Sequence, residues 1–166
     1  MLLENKNIMT VFFSKLYEWF GLIHFYSKDL GEHLKGFDIT GTDYSGTPWY
    51  LIIGCVMIII TVFFYLLQYH IVDSFSSRYC EKIHWWINVV VIIALNFFIA
   101  FDITYSSIQE KNYCSQLNIT FIDCIGFGFS NAIWSFLLFV IITSVPWIRK
   151  NSNNCRYTTF WKPAKL

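Results

Sequence analysis

The chain has 166 residues, of which 55% are hydrophobic, 20% are aromatic and only 14% are charged. A soluble domain carries about 25% charged residues and about 45–50% apolar ones. With a formal net charge of only +1, this composition excludes a disordered chain and a basic nucleic-acid-binding protein, and it argues against an ordinary soluble enzyme. The composition predicts an integral membrane protein.

Three segments are long and apolar enough to cross a bilayer, at about 49–69, 85–105 and 125–148. The first holds 21 residues and no charge. As a helix it would be roughly 31 Å long, close to the hydrocarbon thickness of about 30 Å. The second carries Asp102 near one end, and Pro146 lies near the end of the third. We expect all three to span the membrane.

A fourth segment, at about 8–27, is amphipathic. Ser14, Glu18 and His24 recur at helical steps, so they form one polar stripe. Such a helix either lies in the membrane interface or spans the bilayer with its stripe against other helices. Each charge at mid-bilayer costs about 2.5–3.5 kcal/mol on insertion scales. Lys15 and Glu18, three positions apart, can pair and reduce that cost.

The distribution of positive charge favours four spans with both termini in the cytoplasm. The inner loops and tail then carry eight Lys and Arg residues and the outer loops carry three, whereas three spans would give seven against five. The predicted fold is all-α: one membrane domain over residues 1–166, a four-span antiparallel helix bundle with an amphipathic first span, and a cytoplasmic tail at 149–166. A bacterial inner membrane is favoured as the location, and a eukaryotic membrane stays open.

The outer side of this topology combines a cysteine pair with an acidic balance. Cys114 and Cys124 lie ten positions apart in one outer loop. In an oxidising compartment this spacing predicts a disulfide, the alternative being two unpaired thiols. An acidic face either only orients the chain or concentrates cations at a mouth. The outer side carries three lysines and seven carboxylates, those of Asp29, Glu32, Asp38, Asp43, Asp102, Glu110 and Asp123.

Motifs for catalysis, nucleotide binding and metal binding are absent from the sequence. His33, beside Asp29 and Glu32, is expected in a solvated loop rather than at a metal. The four-span layout with cysteines in an outer loop is similar to that of DsbB-like and vitamin K epoxide reductase-like quinone-linked thiol oxidoreductases. Their reactive Cys-x-x-Cys pair is missing here. We therefore expect no enzyme activity, cofactor, metal or nucleic-acid partner, and thiol oxidoreduction ranks last among the functions considered.

Two features indicate association with other helices or molecules. Gly126 with Ser130, and Gly128 with Ala132, have the small-xxx-small spacing that lets a second helix approach closely, within one bundle or between subunits. The tail combines basic and aromatic side chains that suit either anionic lipid or a soluble protein. The residues predicted to dock there are Arg149, Lys150, Arg156, Tyr157, Phe160 and Trp161.

Two functions follow from these features. The first is a non-enzymatic, homo-oligomeric membrane subunit that anchors or senses for a larger complex of secretion, defence or envelope machinery, with a protein partner in addition to the lipid bilayer. It rests on loops too short to form a catalytic domain. The alternative is an oligomeric ion-conducting pore with an acidic outer mouth, lined by Ser14, Glu18 and His24.

Overall fold

The computed structural model describes residues 8–38, 43–72 and 82–144. Within these ranges the chain is all-helical and contains no strand. The helices are α1 (Ile8–His24), α2 (Lys28–Leu34), α3 (Trp49–Leu66), α4 (Lys82–Gln109) and α5 (Phe121–Ser144), and a π-helical segment (Leu67–Val72) continues α3. The prediction of an all-α chain is confirmed for this part.

Among the described helices, three are long and apolar enough to cross a membrane, as predicted. They cover Trp49–Tyr69, Ile83–Gln109 and Phe121–Ser144. The first has the predicted bounds, and the second extends the predicted segment at both ends. The third begins four residues earlier than predicted, and positions 145–148 lie outside the described residues.

The early start of α5 has a local cause in Thr120 and Asp123. The Asp123 carboxylate accepts hydrogen bonds from the Thr120 backbone N–H at 2.9 Å and from its hydroxyl at 2.6 Å, while Thr120 Oγ1 lies 3.4 Å from the Asp123 backbone nitrogen. This reciprocal arrangement is that of a capping box. The second carboxylate oxygen accepts a hydrogen bond from the Ser27 backbone N–H at 2.8 Å. Asp123 therefore both starts α5 and ties it to the segment between α1 and α2.

The predicted first outer loop contains the short helix α2, which the hydrophobic pattern does not indicate. The hydroxyl of Ser27 caps its first turn by accepting a backbone hydrogen bond. The helix ends at Leu34, and two residues later the chain turns away at Gly36, whose φ is +91°. The backbone N–H groups of Gly36 and Phe37 donate to the carbonyls of His33 and Glu32 at 2.9 and 3.1 Å, the Schellman pattern that favours glycine. Seven residues are too few to show a helical period.

The described residues form two compact units. One comprises those within 1–56 and 97–131, the other those within 57–96 and 132–166. Each of the three long helices contributes residues to both units. The second unit has a conventional apolar core, formed by Trp85, Val89, Ile92 and Phe139.

In the first unit, α1 packs against α3 and α5 through buried tyrosines. Tyr17 is fully buried and stacks on Tyr50, with ring centroids 5.5 Å apart. Its hydroxyl donates to Asn131 Oδ1 at 2.6 Å. The hydroxyls of Tyr26 and Tyr50 lie 3.0 Å apart. An unpaired polar group costs free energy in an apolar environment, so these bonds make a polar core compatible with a membrane helix bundle.

Glycine permits the closest approaches around α5. A Cβ atom at Gly126 would lie 1.6 Å from the carbonyl oxygen of Phe25, and one at Gly128 would lie 2.9 Å from the ring of Phe97. Ser130 and Ala132 are also buried. The residues that the sequence indicated for helix packing therefore contact or face parts of the same chain.

Replacing Gly126 with alanine should destabilise the chain by about 2–3 kcal/mol, the upper part of the range for overpacking. The obstacle is the backbone of Phe25, which cannot move aside as a flexible side chain can. Gly128→Ala is the matched control: it adds the same methyl group to the same helix against the Phe97 ring, so we expect a clearly smaller loss. The measurement is the free energy of unfolding in detergent micelles. Equal stability of both variants would contradict the close approach of the Phe25 backbone to Gly126.

Candidate functional site

The polar stripe of α1 faces a groove of about 260 Å³. Ser14 and Glu18 line this groove together with Lys35 and Tyr44. The hydroxyl of Ser14 donates to the carbonyl of Thr10 at 2.8 Å, so it is satisfied within α1. The side chain of His24, the third residue predicted for the stripe, lies outside the described ones.

Glu18 pairs with Lys35, not with Lys15 as predicted. Lys35 Nζ lies 2.6 Å from Glu18 Oε1 and 3.0 Å from Glu32 Oε1. The hydroxyl of Tyr44 donates to the other oxygen of Glu32. The prediction considered only neighbours on one helix, whereas the C-terminal end of α2 brings Lys35 onto the stripe.

This ion pair is about three-quarters buried, with side chains 22% (Glu18) and 24% (Lys35) exposed. Partial burial lowers the pKa of Lys35, but its hydrogen bonds to Glu18 and Glu32 and their negative charges outweigh this effect and raise the pKa above the ordinary value. Lys35 is therefore positively charged at neutral pH. Together with the two carboxylates it forms a cluster with a net charge of −1.

Lys15 lies between two grooves of α1: it lines the groove of the ion cluster, and it also lines a more apolar groove of about 630 Å³ together with Phe12, Leu16, Glu18 and Trp19. Phe12 is 56% and Trp19 73% exposed. The Lys15 side chain is exposed as well, and within the described part of the chain it has neither a salt bridge nor a hydrogen bond. Within the described residues this charge forms no salt bridge, and part of its surroundings is apolar.

Contacts along α1 give the position of Lys15 relative to α5. Phe25 approaches Gly126, and Tyr17 bonds to Asn131, so α1 runs beside α5 in the opposite direction. Asn131 is ten residues after the start of α5, roughly 15 Å along its axis. Lys15 lies half a turn beyond Tyr17 and therefore at a similar or greater distance along α5.

Most carboxylates of the predicted acidic face are engaged in internal contacts. Asp29 accepts a hydrogen bond from the Asn118 backbone N–H at 3.0 Å, and Asp43 accepts one from Tyr44 at 2.7 Å. Glu32 and Asp123 serve the ion cluster and the start of α5, as described above. Asp102 is exposed on α4. A sequence count treats these groups alike, but several of them mainly hold loops in place.

The predicted disulfide between Cys114 and Cys124 is not present, because both are free, buried thiols. Cys124 was expected in an outer loop, whereas the capped start of α5 places it in the first turn of that helix. There its side chain interacts with that of Thr104 on α4. A disulfide needs a specific orientation of both Cβ atoms, which sequence spacing does not provide.

His33 lies at a second cavity, of about 450 Å³. It belongs to α2 and is only 5% exposed, so the expectation of a solvated loop is wrong. Neither ring nitrogen has a hydrogen-bond partner among the described residues, and the ring meets that of Tyr113 edge-on with centroids 6.3 Å apart. Burial lowers the pKa of His33, so the imidazole is neutral at pH 7. The burial of this imidazole follows from the position of α2 in the fold, and no sequence motif indicates it.

The docking residues predicted in the tail lie outside the described residues. They are Arg149, Lys150, Arg156, Tyr157, Phe160 and Trp161.

Breaking the Glu18–Lys35 pair should reduce stability by roughly 1–3 kcal/mol, between the values for exposed and for buried pairs. Lys35→Met leaves Glu18 without its nearest positive charge. The same change in a Glu18→Gln background should cost less, and the difference measures the coupling between the two side chains. Lys28→Met, which removes an exposed lysine from the same short helix, is the control. A coupling energy near zero would show that the ion pair contributes nothing.

Stability should also depend on His33 when the pH falls. The folded-state pKa of His33 is lowered, whereas in the unfolded chain it returns to about 6.5. Below that pH the unfolded state binds the proton more readily, so stability is lost as the pH falls through the lowered pKa. His33→Gln should flatten this part of the curve of unfolding free energy against pH. An unchanged slope in the variant would contradict the burial of an uncharged imidazole.

No protein-family model, curated protein or solved structure matches this chain.

Proposed function

We propose that this chain is a multi-pass protein of a bacterial inner membrane, with four spans and both termini in the cytoplasm. We propose further that it works as a non-enzymatic, oligomeric subunit that anchors or senses for a larger complex. The observation that carries the proposal is the exposed charge of Lys15 beside apolar side chains of α1, with no salt bridge to any of the described residues.

The contacts of α1 support its role as the fourth span. It meets α5 at Gly126 and again at Asn131, and it meets α3 where the ring of Phe13 covers Gly54. A helix lying flat in the membrane interface would contact the spanning helices near their ends only. Contact along their length favours a helix that crosses the bilayer beside them, antiparallel to α3 and α5.

The position of Lys15 supports assembly with other membrane helices. In a four-span arrangement Lys15 lies about midway along the spanning helix α1, and a lysine at mid-bilayer costs about 2.5–3.5 kcal/mol on insertion scales. Charged residues in membrane helices usually face a bundle interior and pair with another group. Within the described chain no such group contacts Lys15. A second copy or a partner subunit that covers this face removes the cost.

The ion cluster favours the subunit over the channel. A pore lined by Ser14, Glu18 and His24 needs side chains that are free to meet water and ions. Here Ser14 bonds within its own helix, and Glu18 is paired with Lys35. The channel stays the alternative, and Glu18→Gln tests it, because a lumen carboxylate controls ion flux or selectivity.

Replacing Lys15 with glutamine should disrupt the assembly, because the variant lacks the charge that a partner compensates. The measurement is the native mass of the complex after gentle detergent extraction from its own host, with mass-spectrometric identification of its components. We expect the wild-type chain in a large assembly with a stoichiometric second protein, and K15Q in a smaller one. Lys28→Gln removes an exposed lysine outside the long helices and should leave the mass unchanged.

The other outcomes of this measurement are also informative. A bare wild-type monomer would contradict the proposal. A homo-oligomer without a companion, whose ion flux in liposomes changes in Glu18→Gln, would replace it by the channel. Removal of residues 156–166 should release a soluble partner without affecting membrane insertion, and retained binding would exclude the tail as the docking segment.

A further inference from the structure

The cavity beside His33 has the size and lining of a small-molecule site. At about 450 Å³ it falls within the range of roughly 300–1,000 Å³ that is typical of ligand pockets. Its walls come from α2 and the loop after it, from the start of α3 and from the end of α4, all within one compact unit. Several independent segments therefore converge on one space.

His33 is the strongest sign that the space holds a ligand. The residue is only 5% exposed, and both of its ring nitrogens are buried and have no hydrogen-bond partner in the described part of the chain. A neutral imidazole offers one donor and one acceptor. If neither group forms a hydrogen bond inside the protein, free energy is lost, and a polar ligand in the cavity that bonds to them would recover it.

The charge of the lining selects the kind of ligand. Asp38 and Glu110 contribute two carboxylates, and no lysine or arginine is among the described residues that line the cavity. Phe37 and Trp49 contribute aromatic rings, whose faces attract cations. A cation is therefore favoured over an anion. Three hydroxyl-bearing residues, Thr47, Ser106 and Ser107, also line the cavity, so its lining offers hydrogen-bonding groups as well as aromatic rings.

We propose that this cavity binds the primary ammonium group of a small amino alcohol, with Asp38 and Glu110 compensating its charge and His33 accepting one of its hydrogen bonds. A primary ammonium has N–H donors for these acceptors, whereas a quaternary ammonium would need an aromatic cage instead. The oxygen atom two carbons from the ammonium can accept the remaining imidazole N–H. A primary ammonium beside such an oxygen occurs in free ethanolamine, where the oxygen is a hydroxyl, and in the ethanolamine headgroup of a phospholipid, where it is a phosphate ester.

The test is calorimetric titration of ethanolamine into the full chain in phosphatidylcholine nanodiscs, with choline as the matched probe. We expect ethanolamine to bind roughly tenfold or more tightly than choline, because choline cannot donate the charge-assisted hydrogen bonds. Glu110→Gln and His33→Phe should each weaken ethanolamine binding by a similar factor. Glu110 is exposed, so its variant should fold even if the His33 variant does not. Asp102→Asn removes an equal charge from α4 outside the cavity and should change affinity less than about twofold.

Two results would overturn the proposal: no ethanolamine binding, or equal affinities for ethanolamine and choline. If the proposal holds, a second series in nanodiscs with phosphatidylethanolamine identifies the source of the amine. Loss of free ethanolamine binding there assigns the site to the lipid headgroup, and unchanged binding assigns it to a free amine.

Discussion

The first compact unit depends on the hydrogen bond between Tyr17 and Asn131. It joins two buried polar groups on different helices, at a point where neither can reach water. The bond forms because Gly126 lets the end of α1 approach α5 to backbone distance. Stacking of Tyr17 on Tyr50 adds α3 to the same contact. Without this approach α1 would lose its buried contacts with α5.

The carboxylates of this chain have different structural roles. Asp123 caps α5, Asp29 holds a loop, and Glu18 neutralises Lys35. Each of these carboxylates gains a donor that compensates for lost hydration. These carboxylates keep their charge, but their oxygens are already bonded to groups of the same chain.

Lys15 and His33 differ from these carboxylates. Among the described residues, Lys15 forms no salt bridge and lies beside apolar side chains, and His33 has two ring nitrogens without a hydrogen-bond partner at a cavity. We propose that the first faces another membrane helix and that the second faces a bound polar molecule. The two inferences are independent, since assembly needs no ligand and the cavity lies within one chain.

The sequence by itself determined the all-helical class and the three apolar helices, because both follow from composition and from the length of uncharged segments. It also indicated glycine at 126 and 128 as points of close packing. The tertiary structure alone decided that Glu18 pairs with Lys35, that Cys114 and Cys124 stay free, and that His33 is buried. These outcomes depend on α2, a seven-residue helix too short for a periodic signal, and on the capped start of α5. Local hydrogen bonds set both features, and small shifts in helix bounds decide which side chains from distant parts of the chain meet.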